Sequence, residues 1–504
     1  MNRKIGAVLS YLHIVFDVLS ALLLTPLIIS TLGDAEYGVY KLIMAITSYL
    51  LLLDLGVGNS VVRYIAKYKE NNDLESGSKY IGVCIIFYTI VSAVVLIFGG
   101  VLIAFFQDVF AKGLSAEEIA LSKKLLGLTV VNAAVTLGTS LFNNILIAYS
   151  KFSLTKGASI IQIIIRIIVT TIALHLGFRS LAIVAINLVL TITMRLLLVS
   201  YVLFVMKLRP KIKGANSAFV KDIVAYSSFI LLQMIATQIN SYADQVLLGI
   251  FVASSATIIG VYGVGTQILQ YFQSIGSALG GILMPGVVKM VENGATPKQL
   301  QTEMVRIGRY SFAMLGMIFA GFLVNGKTFF MLWIGEGYDQ SYYIALLLML
   351  AYMLIMTESI GTQVLWAKNK HQSQAIIKFT IVIINIFLTV FLIKWNPLIG
   401  AAIGTFISLI LGDVICMNIV FKKEIGISLK EYYAGLLKGI VPCLMISVVS
   451  GYAISLLPFS GVVGFIINIL VMLVTYTVSM LLFGFNKSEK KIINDLLCKI
   501  IKHK

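Results

Sequence analysis

Long apolar runs, separated by short polar segments, make up almost the whole chain. A helix that crosses a bilayer needs roughly 20 mostly apolar residues. The runs that reach this length are 8–32, 38–62, 80–106, 124–149, 154–178, 180–206, 223–250, 256–284, 308–333, 341–367, 373–395, 398–421, 436–457 and 461–485. The pattern therefore predicts an all-α integral membrane protein with about 14 transmembrane helices.

The positive charges alternate between the connecting segments. If the N-terminus lies inside, 30 of the 39 Lys and Arg residues fall in inner segments, 7 in outer ones and 2 within spans. Inner loops of membrane proteins carry such an excess. We therefore expect a multi-pass membrane protein with both termini in the cytoplasm.

Composition agrees with this interpretation. Hydrophobic residues make up 59% of the 504 residues and charged residues 12%, whereas soluble proteins are about half apolar and about a quarter charged. A net charge of +17 would suggest a nucleic-acid partner in a soluble protein. Because most of the charge lies in short inner loops, we expect contact with membrane lipids and no nucleic-acid partner.

A short repeat suggests two related halves. Gly38-Val39-Tyr40 opens the second run, and Gly260-Val261-Tyr262 opens the eighth. Repeats with an even number of spans have parallel topology. The predicted organisation is an N-terminal lobe (1–206, spans 1–6), a cytoplasmic linker (207–222), a C-terminal lobe (223–421, spans 7–12), an extra pair of spans (422–485) and a basic amphipathic cytoplasmic tail (486–504).

Local sequence patterns predict two helix starts, and one further pattern matches a known motif by chance. Ser115 with Glu118, and Thr296 with Gln299, have the spacing of capping boxes. The segment 321–328 fits the P-loop pattern but lies inside the ninth apolar run. A phosphate-binding loop needs a strand that leads into a helix N-terminus. We therefore expect no nucleotide hydrolysis, and no enzyme activity.

Two stretches carry a family resemblance. They are Leu32-Gly33-Asp34-Ala35-Glu36-Tyr37-Gly38-Val39-Tyr40, continued by Leu53-Asp54-Leu55-Gly56-Val57-Gly58 and Arg63-Tyr64, and Asp244-Gln245-Val246-Leu247-Leu248-Gly249, with Gly260-Val261-Tyr262 and Pro285. They resemble the signatures of Wzx-type polysaccharide flippases, in the MATE-like MOP exporter superfamily. The resemblance implies two six-helix lobes around a cavity that opens alternately to either side.

The resemblance also implies a substrate and a process. The substrate would be an undecaprenyl-diphosphate-linked oligosaccharide for lipopolysaccharide, capsule or exopolysaccharide, and other polysaccharide assembly proteins are possible partners. A cation-coupled multidrug antiporter of the same fold is an alternative. A membrane polysaccharide polymerase or ligase is another, but such enzymes need a sizeable outer loop, and the outer loops here are short.

Basic residues inside spans are candidates for the substrate cavity. An ionisable side chain within a span is costly unless it is paired or faces a wet cavity. Arg166, Arg195 and Lys378 are cations of this kind, and guanidinium suits a diphosphate. The alternative is that each arginine neutralises a buried carboxylate such as Asp17 or Asp54.

Amides and aromatic residues on the eighth span are candidates for the sugar-binding wall. Gln267, Gln270, Tyr271 and Gln273 lie within two turns of one another. Uncharged amides and aromatic rings suit glycans. Polar contacts between helices are the alternative explanation.

Ion coupling is implied by the resemblance alone. Related lipid II flippases hold sodium between the seventh, eleventh and twelfth helices, and the positions that match here are Asp244, Asn385 and Thr405. Thr389 stands where that family has an acid, so coupling to H⁺ is as open as coupling to Na⁺, and no other cofactor is expected. We interpret Gly38, Tyr40, Asp54, Gly56 and Gly58 as motif or structural residues, with Asp54 at a helix break.

Overall fold

The computed structural model describes residues 2–208, 210–211, 217–368, 370–459, 461–487 and 489–491, without the side chains of 2–7, 74, 217–230, 232, 278–285 and 371. This part of the chain is α-helical and contains no strand. Eleven of its helices are long and apolar enough to cross a membrane, or twelve if a bent pair is one span. The prediction of an all-α multi-pass membrane protein is confirmed, while the count of 14 spans stays a prediction.

The helices follow the apolar runs. The first nine are α1 Asn2–Leu32, α2 Asp34–Leu50, α3 Val57–Glu70, α4 Leu74–Phe110, α5 Ala116–Gly138, α6 Ser140–Ala148, α7 Phe152–His175, α8 Ser180–Ser200 and α9 Ser217–Phe251. The rest are α10 Ala256–Glu292, α11 Pro297–Trp333, α12 Asp339–Thr357, α13 Ser359–Ala367, α14 His371–Ile393, α15 Pro397–Leu409, α16 Met417–Val420, α17 Leu429–Leu437, α18 Ile440–Ser455 and α19 Gly461–Ser479.

Several predicted elements lie partly outside the residues that the structure describes. The predicted seventh and eighth spans correspond to α9 and α10, some of whose side chains are not described. Part of the predicted linker 207–222 and most of the predicted tail 486–504 fall outside the described residues. The side chain of Pro285, in the second signature stretch, does so too.

Both predicted capping boxes are present. The Ser115 hydroxyl accepts from the Glu118 N–H at 3.3 Å, and the Glu118 carboxylate accepts from the Ser115 N–H at 2.8 Å. Thr296 and Gln299 exchange the same pair of bonds ahead of α11, where Pro297 fills the first position. Each box satisfies backbone donors that the first turn leaves without helical partners.

The chain divides into two compact units. Unit 1 comprises Met1–Gly263 and Lys378–Gly404, and unit 2 comprises Val264–Ile377 and Thr405–Lys504. The divisions fall within α10, α14 and α15 and do not follow the predicted lobe boundaries. The division into two six-helix lobes therefore stays a prediction.

In unit 1, the second span is broken near its middle. A 3-10 turn, Leu51–Asp54, follows α2, and Leu55 and Gly56 then take left-handed backbone conformations before α3 begins. The Asp54 carboxylate accepts from the Tyr88 hydroxyl at 2.9 Å and from the Gly58 N–H at 3.3 Å. Asp54 thus holds the start of α3 against α4.

The first signature stretch also contacts the N-terminal end of α8. The Glu36 carboxylate accepts from the Ser180 N–H at 3.0 Å and from the Ser180 hydroxyl at 2.6 Å. It also forms an ion pair with Arg179 at 2.8 Å. An anion at the N-terminus of a helix is stabilised by the free N–H groups and by the helix dipole. Glu36 therefore fixes α8 to the beginning of α2.

The two copies of the repeat meet in unit 1. A Cβ atom on Gly38 would collide with the backbone carbonyl of Ala256, and it would lie 3.0 Å from the Gly260 nitrogen. A Cβ atom on Gly260 would lie 3.0 Å from the Asp34 carbonyl oxygen. The first glycine of each motif is thus the residue that lets α2 and α10 touch backbone to backbone.

In unit 2, one buried arginine donates hydrogen bonds to backbone carbonyls at the ends of helical segments. Arg309 donates through all five of its N–H groups: twice to Glu489, and to the carbonyls of Gly435, Lys438 and Gly484. Both charged side chains are less than 5% exposed. The carbonyls lie where α17 gives way to α18 and where the last span ends. Arg309 therefore satisfies backbone groups that the helix ends leave without partners.

Candidate functional site

A buried carboxylate in unit 1 anchors a polar cluster. Asp244 on α9 is 5% exposed, and its carboxylate accepts hydrogen bonds from the hydroxyls of Tyr262 on α10 and Thr389 on α14, the latter at 3.2 Å. The Thr389 hydroxyl also lies 3.0 Å from the Asn385 side-chain oxygen, and the Asn385 amide donates to Asn240 at 3.2 Å. We call these five residues the Asp244 cluster.

Helix periodicity aligns the cluster. Asn240 and Asp244 are four residues apart on α9, as are Asn385 and Thr389 on α14, so each pair lies on one helical face. Asn385 and Thr389 are at most 1% exposed. The two faces present three amide or carboxylate side chains and one hydroxyl to one another.

The cluster is rich in acceptor oxygens. The Thr389 hydroxyl has one proton and two neighbouring oxygens, on Asp244 and Asn385, so it satisfies only one of them at a time. Carboxylate, amide and hydroxyl oxygens are ligands of hard cations and also acceptors for a proton. The arrangement is therefore suited to a small cation or a proton.

The structure brings together two of the three predicted ion-coupling residues. Asp244 and Asn385 are joined through Thr389, the position at which the resemblance implies an acid. Thr405 is 3% exposed and begins the segment of α15 that belongs to unit 2. Tyr262 was singled out by the repeat and not as a partner of Asp244, and Asn240 was not predicted at all.

Arg166 has an acidic neighbour. Its guanidinium on α7 lies 3.4 Å from the Asp17 carboxylate and 3.2 Å from the Ser20 hydroxyl, both on α1. The Arg166 side chain is 31% exposed and that of Asp17 55%. The Nε atom of Arg166 is buried and makes no hydrogen bond to a described residue. Of the two interpretations of this arginine, the contact favours neutralisation of a carboxylate.

Arg195 differs from Arg166. It lies on α8, half-buried, five residues before the helix ends. Among the residues that the structure describes, it has no hydrogen bond and no ion pair. Arg195 is thus a cation within a candidate membrane span, and no described carboxylate forms an ion pair with it.

The remaining predicted cavity residues lie in different surroundings. Lys378 is half-buried and stands at the start of the α14 segment in unit 1. In unit 2, Gln267 is 7% exposed and donates to the Tyr271 hydroxyl at 2.8 Å, one turn further along α10. Gln270 and Gln273 are half-buried. Gln267 and Tyr271 thus form a hydrogen-bonded pair on one helix.

Comparison with known proteins gives a family and a fold. The profile of a family described as "Polysaccharide biosynthesis protein" matches residues 6–291, more than half of the chain. Comparison with the curated proteins gives no match.

Among solved structures, the chain is similar to a lipid II flippase, MurJ, in an inward closed conformation, with a TM-score of 0.70 and 16% identity over 94% of this chain and 97% of that one. It is also similar to an inward-facing multidrug resistance MATE family transporter of the MOP superfamily. There the TM-score is 0.69 and the identity 12%, over 82% and 94% of the two chains. The MOP fold implied by the two signature stretches is confirmed, and this is a fold of transporters.

Proposed function

The chain belongs to the family of polysaccharide biosynthesis proteins, and we propose that it is a flippase for an undecaprenyl-diphosphate-linked oligosaccharide in the bacterial cytoplasmic membrane. The observation that carries the proposal is the family match over 6–291 on a chain with the fold of a lipid II flippase. Transport would proceed by alternating access, with both termini in the cytoplasm. No bond is made or broken in the substrate, so the chain needs no catalytic group.

Arg195 supports a substrate that carries negative charge. A diphosphate that crosses the bilayer loses its hydration and needs a compensating cation in the protein. A half-buried guanidinium without a described partner offers two parallel N–H bonds to phosphate oxygens. Arg166 has Asp17 beside it and is the weaker candidate.

The Asp244 cluster supports coupling to an ion. Protonation or cation binding at Asp244 would change the hydrogen bonds that join α9, α10 and α14. A ligand that binds one conformation better than another shifts the population towards it. We propose that Na⁺ or H⁺ binds at this cluster during the transport cycle, and that the close contact of Gly38 with α10 forms and separates in the same cycle.

Reconstituted transport tests the proposal directly. The full chain is placed in proteoliposomes with a fluorescent undecaprenyl-diphosphate oligosaccharide, and the outward-exposed fraction is followed with a membrane-impermeant quencher. We expect translocation above that of empty liposomes, and a dependence of the rate on a Na⁺ or H⁺ gradient. Absence of translocation under every gradient, by protein that is folded, would contradict the assignment.

A multidrug antiporter is the second candidate. The observation in its favour is the likeness to a MATE family transporter together with the buried acid at Asp244. The same vesicles distinguish the two, because an antiporter exports a cationic dye and leaves the lipid-linked glycan where it is. Reporter fusions at Lys504 and Asp34 test the topology, and we expect them to report inside and outside respectively.

A further inference from the structure

Unit 2 contains a second buried carboxylate, which the transport mechanism above does not use. Glu358 stands between α12 and α13 and is 2% exposed. One of its oxygens, Oε1, accepts from the Tyr433 hydroxyl on α17 and from the Asn418 amide on α16, the latter at 2.8 Å. The Asn418 amide also donates to the Tyr433 hydroxyl, at 2.7 Å. Glu358, Asn418 and Tyr433 therefore form one closed network.

Two acceptors in this network lack a donor. Glu358 Oε2 and Asn418 Oδ1 are buried, and neither has a hydrogen-bond partner among the described residues. Most buried polar groups in native proteins are hydrogen-bonded, so each exception needs an explanation. A proton on Glu358 Oε2 turns one of these two unpartnered acceptors into a donor.

Nothing in the described surroundings neutralises Glu358 as an anion. None of the described ion pairs includes it. The titratable groups that face it are Tyr432 and Tyr433 from α17 and Asp413 from the π-helical turn Ile410–Cys416. Asp413 is the one carboxyl group among these three, and a neighbouring carboxylate disfavours a second anion.

The backbone is irregular around Glu358 and Asn418, whereas Tyr433 lies on the regular helix α17. The helix ends at Thr357, whose carbonyl accepts from the Tyr432 hydroxyl at 2.9 Å, and it restarts after Glu358. Asn418 lies between two π-helical segments, Ile410–Cys416 and Phe421–Ile425. Such π-helical insertions are frequent at functional sites. Non-helical backbone at membrane depth is tolerated where protein or a wet cavity surrounds it.

We propose that Glu358 is a proton-binding site, separate from the Asp244 cluster, with Tyr433 and Asn418 as the residues that position its carboxyl group. Tyr433 precedes the extra pair of spans and is half-buried, so it links the buried carboxyl group to the surface. By the charge pattern, that surface is the cytoplasmic one. The predicted segment 422–485 thus contributes a residue to an ionisable site, and it does more than add two spans to the transporter.

Infrared difference spectroscopy tests the site without measuring transport. The full-length protein in lipid nanodiscs is titrated between acidic and alkaline pH, and the carbonyl band of protonated carboxyl groups is recorded in H2O and D2O. We expect the wild-type spectra to contain a component that titrates with pH and that disappears in Glu358→Gln. Tyr433→Phe should keep this component at a shifted frequency, because the carboxyl group loses one hydrogen bond. Asp413→Asn is the matched control, and it should leave the component in place.

Two results would overturn the proposal. In the first, Glu358→Gln and wild type give superimposable carboxyl spectra at every pH, which means that Glu358 does not titrate. In the second, added Na⁺ at constant pH removes the Glu358 component, which means that the site binds a metal cation. If Glu358→Gln does not fold, Tyr433→Phe decides the question, since a titrating band that it leaves unmoved does not belong to Glu358.

Discussion

Arg166 and Arg195 are the same side chain on neighbouring helices of unit 1, in two different electrostatic situations. Arg166 lies 3.4 Å from Asp17, whereas Arg195 has no partner among the described residues. The first guanidinium has a permanent counter-ion within the chain. The guanidinium of Arg195 is partly removed from water, and no described carboxylate offsets this desolvation penalty. A bound anion would offset it. The comparison separates a structural cation from a candidate for substrate binding, a distinction that charge and span position alone do not make.

The largest effect is expected for Arg195. In the flipping assay, Arg195→Ala should lower the rate roughly ten- to hundredfold, since hydrogen bonds to charged groups contribute about 1.5–3 kcal/mol. Arg195→Lys should keep part of the activity, because a point charge partly replaces a bidentate fork. Arg166→Ala is the matched control. Equal losses in the two alanine variants, at equal folded amounts, would remove the distinction between the two arginines.

Asp244 provides the next test, which separates the ion from the substrate. Asp244→Asn should remove the dependence of flipping on the ion gradient. It should also lower the flipping rate about tenfold, because the loss of one charge-assisted hydrogen bond costs about 1.5 kcal/mol. Arg195→Lys should be slower but still respond to the gradient. The measurement is the flipping rate with and without imposed Na⁺ and H⁺ gradients. A gradient response that survives in Asp244→Asn argues against coupling at this cluster.

A smaller effect is expected for the ion pair. Arg166→Gln should cost up to about 1 kcal/mol of unfolding free energy, the range of partly exposed ion pairs, because it leaves Asp17 without its neighbour. Asp17→Asn combined with Arg166→Gln should recover both stability and flipping. Thermal unfolding in detergent, with flipping in parallel, measures the two effects. A stable double variant without activity would place Arg166 in the substrate path beside Arg195.

Lys327 should have no effect. This exposed lysine completes the P-loop pattern, yet the whole of 321–328 lies within α11, where the backbone amides are committed to helical hydrogen bonds. Lys327 lies over the ring of Tyr343, at 4.8 Å from its centre. Lys327→Ala should therefore flip substrate at the wild-type rate, in the presence or absence of ATP. A loss of flipping with normal stability would show that this third cation belongs with Arg195.

The sequence predicted those features that depend on neighbouring residues. Apolar runs gave the helices, and the pairs Ser115 with Glu118 and Thr296 with Gln299 gave two helix starts. The grouping of Asp244 with Asn385 is different, because it came from the family resemblance and not from a local pattern; in the structure the two residues meet through Thr389.

Long-range contacts could not be predicted in this way. No local pattern pairs Arg309 with Glu489, because the two residues lie 180 positions apart in the chain. The same holds for Glu358, whose partners Asn418 and Tyr433 are 60 and 75 residues distant. Its oxygen without a donor is visible only once these segments are packed. Hydropathy also does not reveal the π-helical turns of Ile410–Cys416, because a π-helix has the same apolar composition as an α-helix.

The close contact of Gly38 with Ala256 and Gly260 allows the conformation of the protein to be biased by a single substitution. No side chain separates the two helices there, so one added methyl group opposes the packed arrangement without altering charge or hydrogen bonding. An alanine at position 38 would act as a wedge, raising the free energy of conformations in which α2 and α10 touch and leaving those in which they part unaffected. Such a variant is a means of enriching a conformation in which α2 and α10 are apart, for structure determination or for selecting conformation-specific antibody fragments.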